Sequence, residues 1–468
     1  MADERIALMA HLMRRAGVGA TRDELEVLAE RPYEQVVEEL IHPEDQEPDS
    51  YNDALDRYFP SAFSPDTPQT RASRWIYDLA NSKRPLLEKM ALFWHHVFAT
   101  GWFKSEHGPA LVAQLETFRG NSLGNLREIL LDLAHDPAMI NWLDNSENHS
   151  YAVNENFGRE LLELFTMGIG TYTETDVKMA ARAFTGWTFT QPIPLYPYGG
   201  YGSRFHYDAS DHDDGEKTFL GHTGNFNGEE IIDIIVQQEA CARFISRHLY
   251  NFFVADEPQV PSWSETEPQD PAAIELLMQS FQRSEGDMRE VMRTLLNADF
   301  FKQARFTRVK SPTELVGGAI KLAGSSPIPD VSIVKLAGAI VVMGQKLLDP
   351  PSVEGWHTGK EWVDGGTLTE RVNFAVEQVM DTRKPGMHSI VARISASGEP
   401  VEPEPFVDQC LDLAGPIEAS DETRSVLRDF ADSEGALIFG NDDERSESEA
   451  RIGRMIQLIV ASPEYQFT

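Results

Sequence analysis

The chain has 468 residues and a formal net charge of −34, because 75 Asp and Glu residues outnumber 41 Lys and Arg residues. Hydrophobic residues make up 41% of the chain, which is enough to build a sizeable core and too much for an intrinsically disordered protein. The excess of negative charge disfavours a nucleic-acid-binding protein, since the chain repels phosphate groups at long range.

The N-terminus does not resemble a signal peptide. The first five residues include Asp3 and Glu4, where a leader has a basic start followed by an apolar core. No run of about 18 apolar residues follows, so we expect no transmembrane segment. These features predict a soluble protein that is cytoplasmic as the sequence stands, or exported if a leader was removed.

Apolar residues recur at spacings of three and four through most of the first 190 residues, which predicts helices. Thr21, with Glu24 three positions later, is typical of a capping box at the start of one helix. Thr173 and Asp176 have the same spacing and predict the start of another. Besides the helix that follows Thr21, the predicted helices cover residues 6–17, 33–41, 70–79, 85–100, 110–118, 123–135, 154–167 and 173–187.

A Tyr-, Gly- and His-rich segment at about 191–228 interrupts this pattern and is too long for an ordinary connection. We expect a folded excursion, with room for a short hairpin, on a helical body. No stretch alternates apolar and polar residues long enough to predict a central strand. The later predicted helices are 228–236, 239–253, 271–284, 288–296, 311–323, 331–343, 367–380, 404–413, 423–432 and 447–461. The predicted fold is therefore all-α, with one domain over 1–468 and weak seams at 256–270 and 386–405.

The two cysteines and the absence of several catalytic motifs exclude some metal sites and disfavour some classes of enzyme. Cys241 and Cys410 lie in helical, apolar contexts, which favours buried free thiols and excludes a zinc ribbon or an iron–sulfur cluster. The sequence contains no P-loop, Rossmann glycine pattern, His-Glu-x-x-His or Gly-x-Ser-x-Gly. P-loop nucleotide hydrolysis, a Rossmann cofactor, a zincin and an α/β-hydrolase are all disfavoured.

Residues 154–165 have the most informative pattern in the chain. On a helix their acidic residues, with Asn156 and Arg159, share a polar arc opposite an apolar face. Glu155, Arg159 and Glu163 are spaced four apart, so each acid can pair with the arginine. One interpretation is an exposed face of weak ion pairs. The other is a cleft in which carboxylates bind a cation or act as acid and base.

Three histidines are candidate metal ligands, although each also has a structural interpretation. His96 flanks the apolar face of the predicted helix 85–100, where it can instead complete a buried hydrogen bond. His206 and His212 lie among Asp and Gly residues, a composition that suits metal ligands but favours turns. The tight loop Gly355–Gly359 is expected to pack Trp356 against the body or to line a pocket with it.

Short motifs in a fixed order extend from residue 11 to residue 466. They include HLMRRAG at 11–17, MALFWHHVF at 90–98, RELLELF at 159–165, AFTGWT at 183–188, KTFLG at 217–221, KSP at 310–312 and SPEYQ at 462–466. Together they resemble a bacterial family catalogued as domain of unknown function 1800. The resemblance implies a largely helical fold and members that are often exported, but no agreed activity. It supports treating the 154–165 face as more than a solvated surface.

The leading hypothesis is a metal-dependent hydrolase with a cleft lined by Glu, Arg and His side chains. Arg159 would orient an anionic group of the substrate, and one glutamate would serve as general base. The candidate residues are Glu160, Glu163 and Arg159 for catalysis, Asn156, Trp187 and Lys217 for substrate binding, and His96, His206 and His212 for a divalent metal.

Two other hypotheses remain open. A non-enzymatic scaffold would recognise a protein or glycan partner through the aromatic stretch Tyr196–Tyr207. Alternatively, the charged 154–165 face would be a buried polar network that only sets helix packing. The three hypotheses differ in whether Glu160 and Glu163 face a cavity.

Overall fold

This computed structural model describes residues 4–47, 49, 55, 57, 68–191, 202–258, 260, 263, 266–324 and 331–468. Within these ranges the chain forms 23 α-helices and two small antiparallel pairs of strands. The predicted all-α fold is therefore confirmed. None of the helices in the described ranges is both long enough and apolar enough to cross a membrane.

Eleven of these helices precede the excursion. They are α1 Glu4–Ala16, α2 Arg22–Ala29, α3 Tyr33–Ile41, α4 Pro68–Asn81, α5 Pro85–Val97, α6 Trp102–Ser105, α7 Gly108–Asn121, α8 Leu126–His135, α9 Pro137–Trp142, α10 Asn156–Glu160 and α11 Glu174–Ala183. Thr21 and Thr173 cap α2 and α11 through the predicted capping boxes with Glu24 and Asp176. The bounds of α3 are those predicted, whereas α6 and α9 are too short to show periodicity.

Twelve helices in the described ranges follow the excursion. They are α12 Gly228–Val236, α13 Glu239–Phe253, α14 Pro271–Arg283, α15 Met288–Asn297, α16 Asp299–Gln303, α17 Pro312–Ala323, α18 Leu336–Val342, α19 Gly365–Val379, α20 Pro385–Ser395, α21 Pro403–Leu413, α22 Asp421–Glu434 and α23 Asp442–Ala461. Short 3-10 helices lie at Pro43–Asp45, Asn145–Glu147, Ala209–Asp211, Val331–Lys335, Gly359–Trp362 and Glu464–Gln466. Helix α20 occupies much of the predicted seam 386–405, and its apolar residues are buried.

The excursion folds onto the end of α11. Strand β1 Trp187–Thr190 pairs with β2 Arg204–Tyr207, and β3 Lys217–Phe219 pairs with β4 His222–Gly224. The predicted helix 173–187 is too long: α11 ends at Ala183, and Trp187 begins a strand instead. Residues 192–201 lie outside the described ranges, so the first half of the predicted recognition stretch Tyr196–Tyr207 does too.

A continuous apolar core joins helices from both halves of the chain and sets the walls of the candidate site. Helix α13 packs against α5 and against the helical segment that follows α10. Gly158 lets α10 approach α11 closely, because a Cβ atom there would lie 2.9 Å from the backbone nitrogen of Ala181. Cys241 and Cys410 are free and buried, as the sequence predicts.

Candidate functional site

The predicted helix 154–167 changes its hydrogen-bonding pattern in the middle. Helix α10 passes into a π-helix at Leu161–Thr166. The backbone N–H of Met167 donates to the carbonyl of Leu162, five residues earlier, at 2.9 Å. The hydroxyl of Thr166 donates to the carbonyl of Leu161 at 2.5 Å. Single π-helical turns inside helices occur frequently at functional sites, and Glu163 lies within this one.

The π-helix forms one wall of a cavity of about 900 Å³. Glu163 and His96 both line this cavity, so the structure brings together two residues that the sequence nominates for one site. The other walls come from α13 and from the loop that contains Trp356. This volume lies within the usual range for small-molecule sites.

Two of the three histidines that line the cavity, His96 and His248, are held in their neutral form. Burial, with the nearby His248 and Arg308, lowers the pKa of His96 to about 3. Burial also lowers the pKa of His248 to about 4, although a hydrogen bond to the Phe244 carbonyl opposes that shift. That bond joins His248 Nδ1 to the carbonyl oxygen at 2.8 Å. Neutral imidazoles can exchange hydrogen bonds with a polar ligand without adding charge.

A glycine places the Trp356 indole beside His96. Gly355 has φ +81°, and a Cβ atom there would lie 2.7 Å from the His96 carbonyl oxygen. The loop can therefore run directly against the end of α5. The rings of His96 and Trp356 are nearly parallel, with centroids 6.2 Å apart. With Trp263 from the segment after α13, the cavity has two indoles in its lining.

The two carboxyl groups near the π-helix have different surroundings. Burial and the negative charges of Glu163 and Glu354 raise the pKa of Glu160 to about 7, while Arg159 opposes the shift. Glu163 accepts a hydrogen bond from the phenol of Tyr172 at 2.9 Å. Burial and this carboxylate raise the pKa of Tyr172, which keeps its proton on the phenol oxygen. Glu163 and Glu354 line the cavity, and Glu160 lies beside them rather than in the lining.

Comparison with known proteins identifies the family. The sequence model of one family, described as protein of unknown function (DUF1800), matches residues 11–467. The chain belongs to the DUF1800 family. No curated protein and no solved structure matches the chain. Membership of the DUF1800 family agrees with the resemblance seen in the sequence motifs. The family description names no reaction.

Arg159 in this DUF1800 protein is bound to surface acids and is not among the residues that line the cavity. Its guanidinium donates to both carboxylate oxygens of Glu174 at 2.9 and 2.7 Å. It also pairs with Glu155 at 3.2 Å, as the spacing of four predicts. Because both terminal nitrogens of the Arg159 guanidinium donate to Glu174, the geometry does not support the predicted role of Arg159 in holding a substrate anion.

The three predicted substrate-binding residues make structural contacts away from the cavity lining. The side-chain amide of Asn156 donates to the Leu143 carbonyl at 3.0 Å. The indole N–H of Trp187, a side chain only 2% exposed, donates to the side-chain oxygen of Asn227 at 2.9 Å. The ammonium of Lys217 donates to backbone carbonyls in its own loop, at 3.1 Å in the case of Gly215.

The predicted ligand set His96, His206 and His212 is not assembled. His206 is exposed on β2, opposite Thr188, and His212 Nδ1 lies 2.9 Å from the Thr185 carbonyl oxygen. Neither His206 nor His212 is among the residues that line the cavity with His96. In the part of the chain that the structure describes, no three His, Cys, Asp or Glu side chains are placed to hold a metal ion.

Sequence reasoning missed several residues that surround Glu163. His248 lies among apolar residues of α13, a pattern that predicts a core position. Trp263 lies in the acidic stretch 256–270, which the sequence predicts as a seam. Tyr172 follows Glu163 by nine residues, beyond the reach of helical spacing rules. These contacts join elements that are distant in the chain, so no local periodicity reveals them.

Proposed function

We propose that the cavity beside the π-helix hydrolyses a neutral, hydroxyl-rich substrate such as a glycoside. The observation that carries this proposal is the carboxyl group of Glu160, with a pKa of about 7, beside the cavity-lining carboxylate of Glu163. Acid–base catalysis is most effective when the pKa of the group lies near the working pH. Pairs of carboxyl groups in different environments are a common way to supply both an acid and a base.

Glu163 is the group that faces the substrate in this proposal. Tyr172 holds its carboxylate by a hydrogen bond, so the free oxygen can take a proton from an attacking water. Water forms the new bond to carbon as the bond between that carbon and the leaving oxygen breaks, and Glu163 passes the proton to the leaving oxygen, so its carboxylate ends the reaction unchanged. Glu160 does not line the cavity, and its charge, which changes near neutral pH, alters the electrostatic field beside Glu163.

The charges of the lining favour a neutral substrate. Its two arginines are already paired, Arg243 with Glu239 at 3.0 Å and Arg247 with Glu257 at 2.5 Å. Besides these pairs, the lining contributes carboxylates, which repel an anion. The indoles of Trp263 and Trp356 offer apolar faces, while the two neutral imidazoles offer hydrogen-bonding groups. A sugar ring combines an apolar face with hydroxyl groups and fits this lining.

A divalent metal in the reaction stays a prediction. Of the three histidines nominated as ligands, His96 alone lines the cavity, where Glu163 and His248 are also found. Added Zn²⁺ or Mn²⁺ that raises turnover in the wild type, and has no effect in His96→Ala, would support a metal role. Unchanged turnover after chelation would assign the proton transfers to the side chains alone.

A panel of 4-nitrophenyl glycosides tests the hydrolase proposal. Glu163→Gln is expected to lower kcat by about 10²–10⁴, the usual contribution of a general acid or base. Glu160→Gln is expected to keep measurable turnover and to lose the ionisation near pH 7 from the rate profile. Glu404→Gln, which changes an exposed glutamate outside the cavity lining, is the matched control and should behave as wild type. Equal turnover by wild type and Glu163→Gln would contradict the proposal.

The same indoles favour a second candidate, a glycan-binding protein without catalysis. Wild type would then bind sugars measurably by calorimetry and release no nitrophenol from any glycoside. Trp263→Ala would weaken this binding, whereas Glu163→Gln would leave it unchanged. Loss of turnover without loss of binding in Glu163→Gln therefore separates the hydrolase from the binding protein.

A further inference from the structure

Three segments that are far apart in the chain meet at a second, smaller cavity of about 330 Å³. Arg14 comes from α1, Lys310 from the residues before α17, and Tyr465 from the C-terminal 3-10 helix. Each belongs to one of the motifs that carry the family resemblance, and the proposed hydrolase uses none of them. The cavity therefore needs its own explanation.

Two of the basic residues that line this cavity, Arg14 and Lys310, have no carboxylate partner within ion-pair distance among the described residues. The Arg14 guanidinium donates to the Gly415 carbonyl at 2.7 Å and lies 4.6 Å from the ring centre of Phe306. The Lys310 ammonium donates to the Tyr465 carbonyl at 2.7 Å and lies 3.9 Å from the centre of that ring. Only 8% of Lys310 is exposed. Burying a charge without an opposite charge is costly.

A third cation lies directly behind Lys310. Arg371 is fully buried, and its Nη2 donates to the Lys310 carbonyl at 2.8 Å. Its Nε donates to the Gln466 side chain at 2.8 Å, while Nη1 is buried without a hydrogen-bond partner. Arg371 therefore adds a positive charge next to Lys310.

The other cations that line the same cavity are matched by acids. Arg22 pairs with Asp412 at 2.5 Å, and Lys321 pairs with Glu24 at 2.9 Å. Arg393 pairs with Glu26 at 2.9 Å. Since these cations have partners and the deeper pair does not, Arg14 and Lys310 form a local excess of positive charge inside a strongly acidic protein.

We propose that this cavity binds a small organic anion whose carboxylate or phosphate head lies between Arg14 and Lys310. Guanidinium and ammonium groups are the usual partners of both heads. Val18, Leu25 and Ile390 also line the cavity and would contact an apolar body on the ligand. The volume lies near the lower limit for ligand cavities, which restricts the ligand to a small molecule.

Anion binding is expected to take up a proton. Burial and the positive charges of Arg14 and Arg371 hold the pKa of Lys310 well below its usual value, against the opposing charge of Glu314. An anion beside the ammonium favours the charged form and raises that pKa again. The heat of binding should therefore depend on the ionisation enthalpy of the buffer.

Isothermal titration calorimetry of the full chain at low ionic strength tests this inference, with hexanoate, hexyl phosphate and inorganic phosphate as probes. Wild type should bind hexanoate or hexyl phosphate with proton uptake, and the tighter of the two identifies the head. Inorganic phosphate should bind more weakly than hexyl phosphate, because it has no apolar body. Arg14→Gln and Lys310→Met should each weaken binding by about tenfold or more.

Lys321→Met is the matched control, because this lysine lines the same cavity but is paired with Glu24. Its affinity should stay within about twofold of wild type. If Lys310→Met fails to fold by circular dichroism, Arg14→Gln carries the test. The inference is overturned if folded wild type binds none of the three probes. It is also overturned if Lys321→Met loses as much affinity as Arg14→Gln and Lys310→Met.

Discussion

Glu314 is buried and Glu160 is half-buried, and their carboxyl groups behave in opposite ways. Burial opposes the ionisation of each. Around Glu160 the nearest strong influence is another glutamate, Glu163, and the pKa rises to about 7. Around Glu314 the charges of Arg308 and Lys89 outweigh burial and lower the pKa. The sign of the neighbouring charge, rather than burial itself, decides which carboxyl group can hold a proton near neutral pH.

The two environments also differ in how completely their charges are satisfied. Lys89 is fully buried and donates both to Glu314 and, at 2.9 Å, to the Gly17 carbonyl. Glu314 is 3% exposed and additionally accepts a hydrogen bond from the Ser311 backbone at 2.8 Å. Near Glu160 the charge of Arg159 opposes the rise in pKa but does not cancel it. We infer that the buried network serves stability, whereas the cavity wall retains an unfavourable arrangement that catalysis can use.

The largest expected effect is that of Glu314→Gln. It leaves the buried charges of Lys89 and Arg308 without their carboxylate, which should lower the free energy of unfolding by about 3–5 kcal/mol. Urea denaturation at neutral pH measures this loss. Glu404→Gln, which removes an exposed partner of Arg428, is the control and should change stability by about 1 kcal/mol or less. Similar losses in both variants would remove the contrast between the core network and the cavity wall.

Glu160→Gln should have the opposite sign. A carboxyl group whose pKa is about 7 in the folded protein and about 4.3 in the unfolded chain disfavours folding above pH 7, and this penalty disappears below about pH 4. Because Glu160 is partly exposed, solvent screening reduces the expected gain at pH 8 to about 1–2 kcal/mol. Urea denaturation at pH 8 and pH 5 should show a gain that shrinks on acidification. A variant less stable than wild type at pH 8 would contradict the assignment.

Arg159→Ala should have the smallest effect on stability, about 1 kcal/mol or less, because its ion pairs are on the surface. It should nevertheless raise the pKa of Glu160 further, since Arg159 is the positive charge that opposes the shift. The pH dependence of unfolding, compared with that of Glu160→Gln, measures the change. If the ionisation moves to lower pH in Arg159→Ala, then Arg159 does not act on Glu160.

Local patterns predicted much of the fold and only part of the site. The bounds of α3, α12 and α13 follow from apolar spacing and were predicted to the residue. The π-helix could not be predicted in this way, because one residue more per turn leaves no distinct signal in a short segment. The predicted helix 173–187 includes Trp187, whereas the strand that Trp187 begins depends on pairing with β2, which local spacing does not reveal.

The candidate site shows the same limit. Local sequence patterns predict Glu163 as a catalytic residue and His96 as a metal ligand, and both residues line the cavity. The partners of Arg159 could not be settled by spacing alone, because Glu174 lies beyond the same helix. His206 and His212 were grouped with His96 by residue type, although the folding of the excursion against α11 depends on tertiary contacts.

Direct titration of the Glu160 carboxyl group tests the central claim without knowledge of the substrate. Carbon-13 NMR of the glutamate side-chain carboxyl groups, recorded across the pH range, should show one resonance that titrates near pH 7. That resonance should be absent from Glu160→Gln and present in the control Glu404→Gln, which changes an exposed surface glutamate. If Glu160 instead titrates near the ordinary glutamate value of about 4.3, the proposed acid–base pair beside the cavity does not exist.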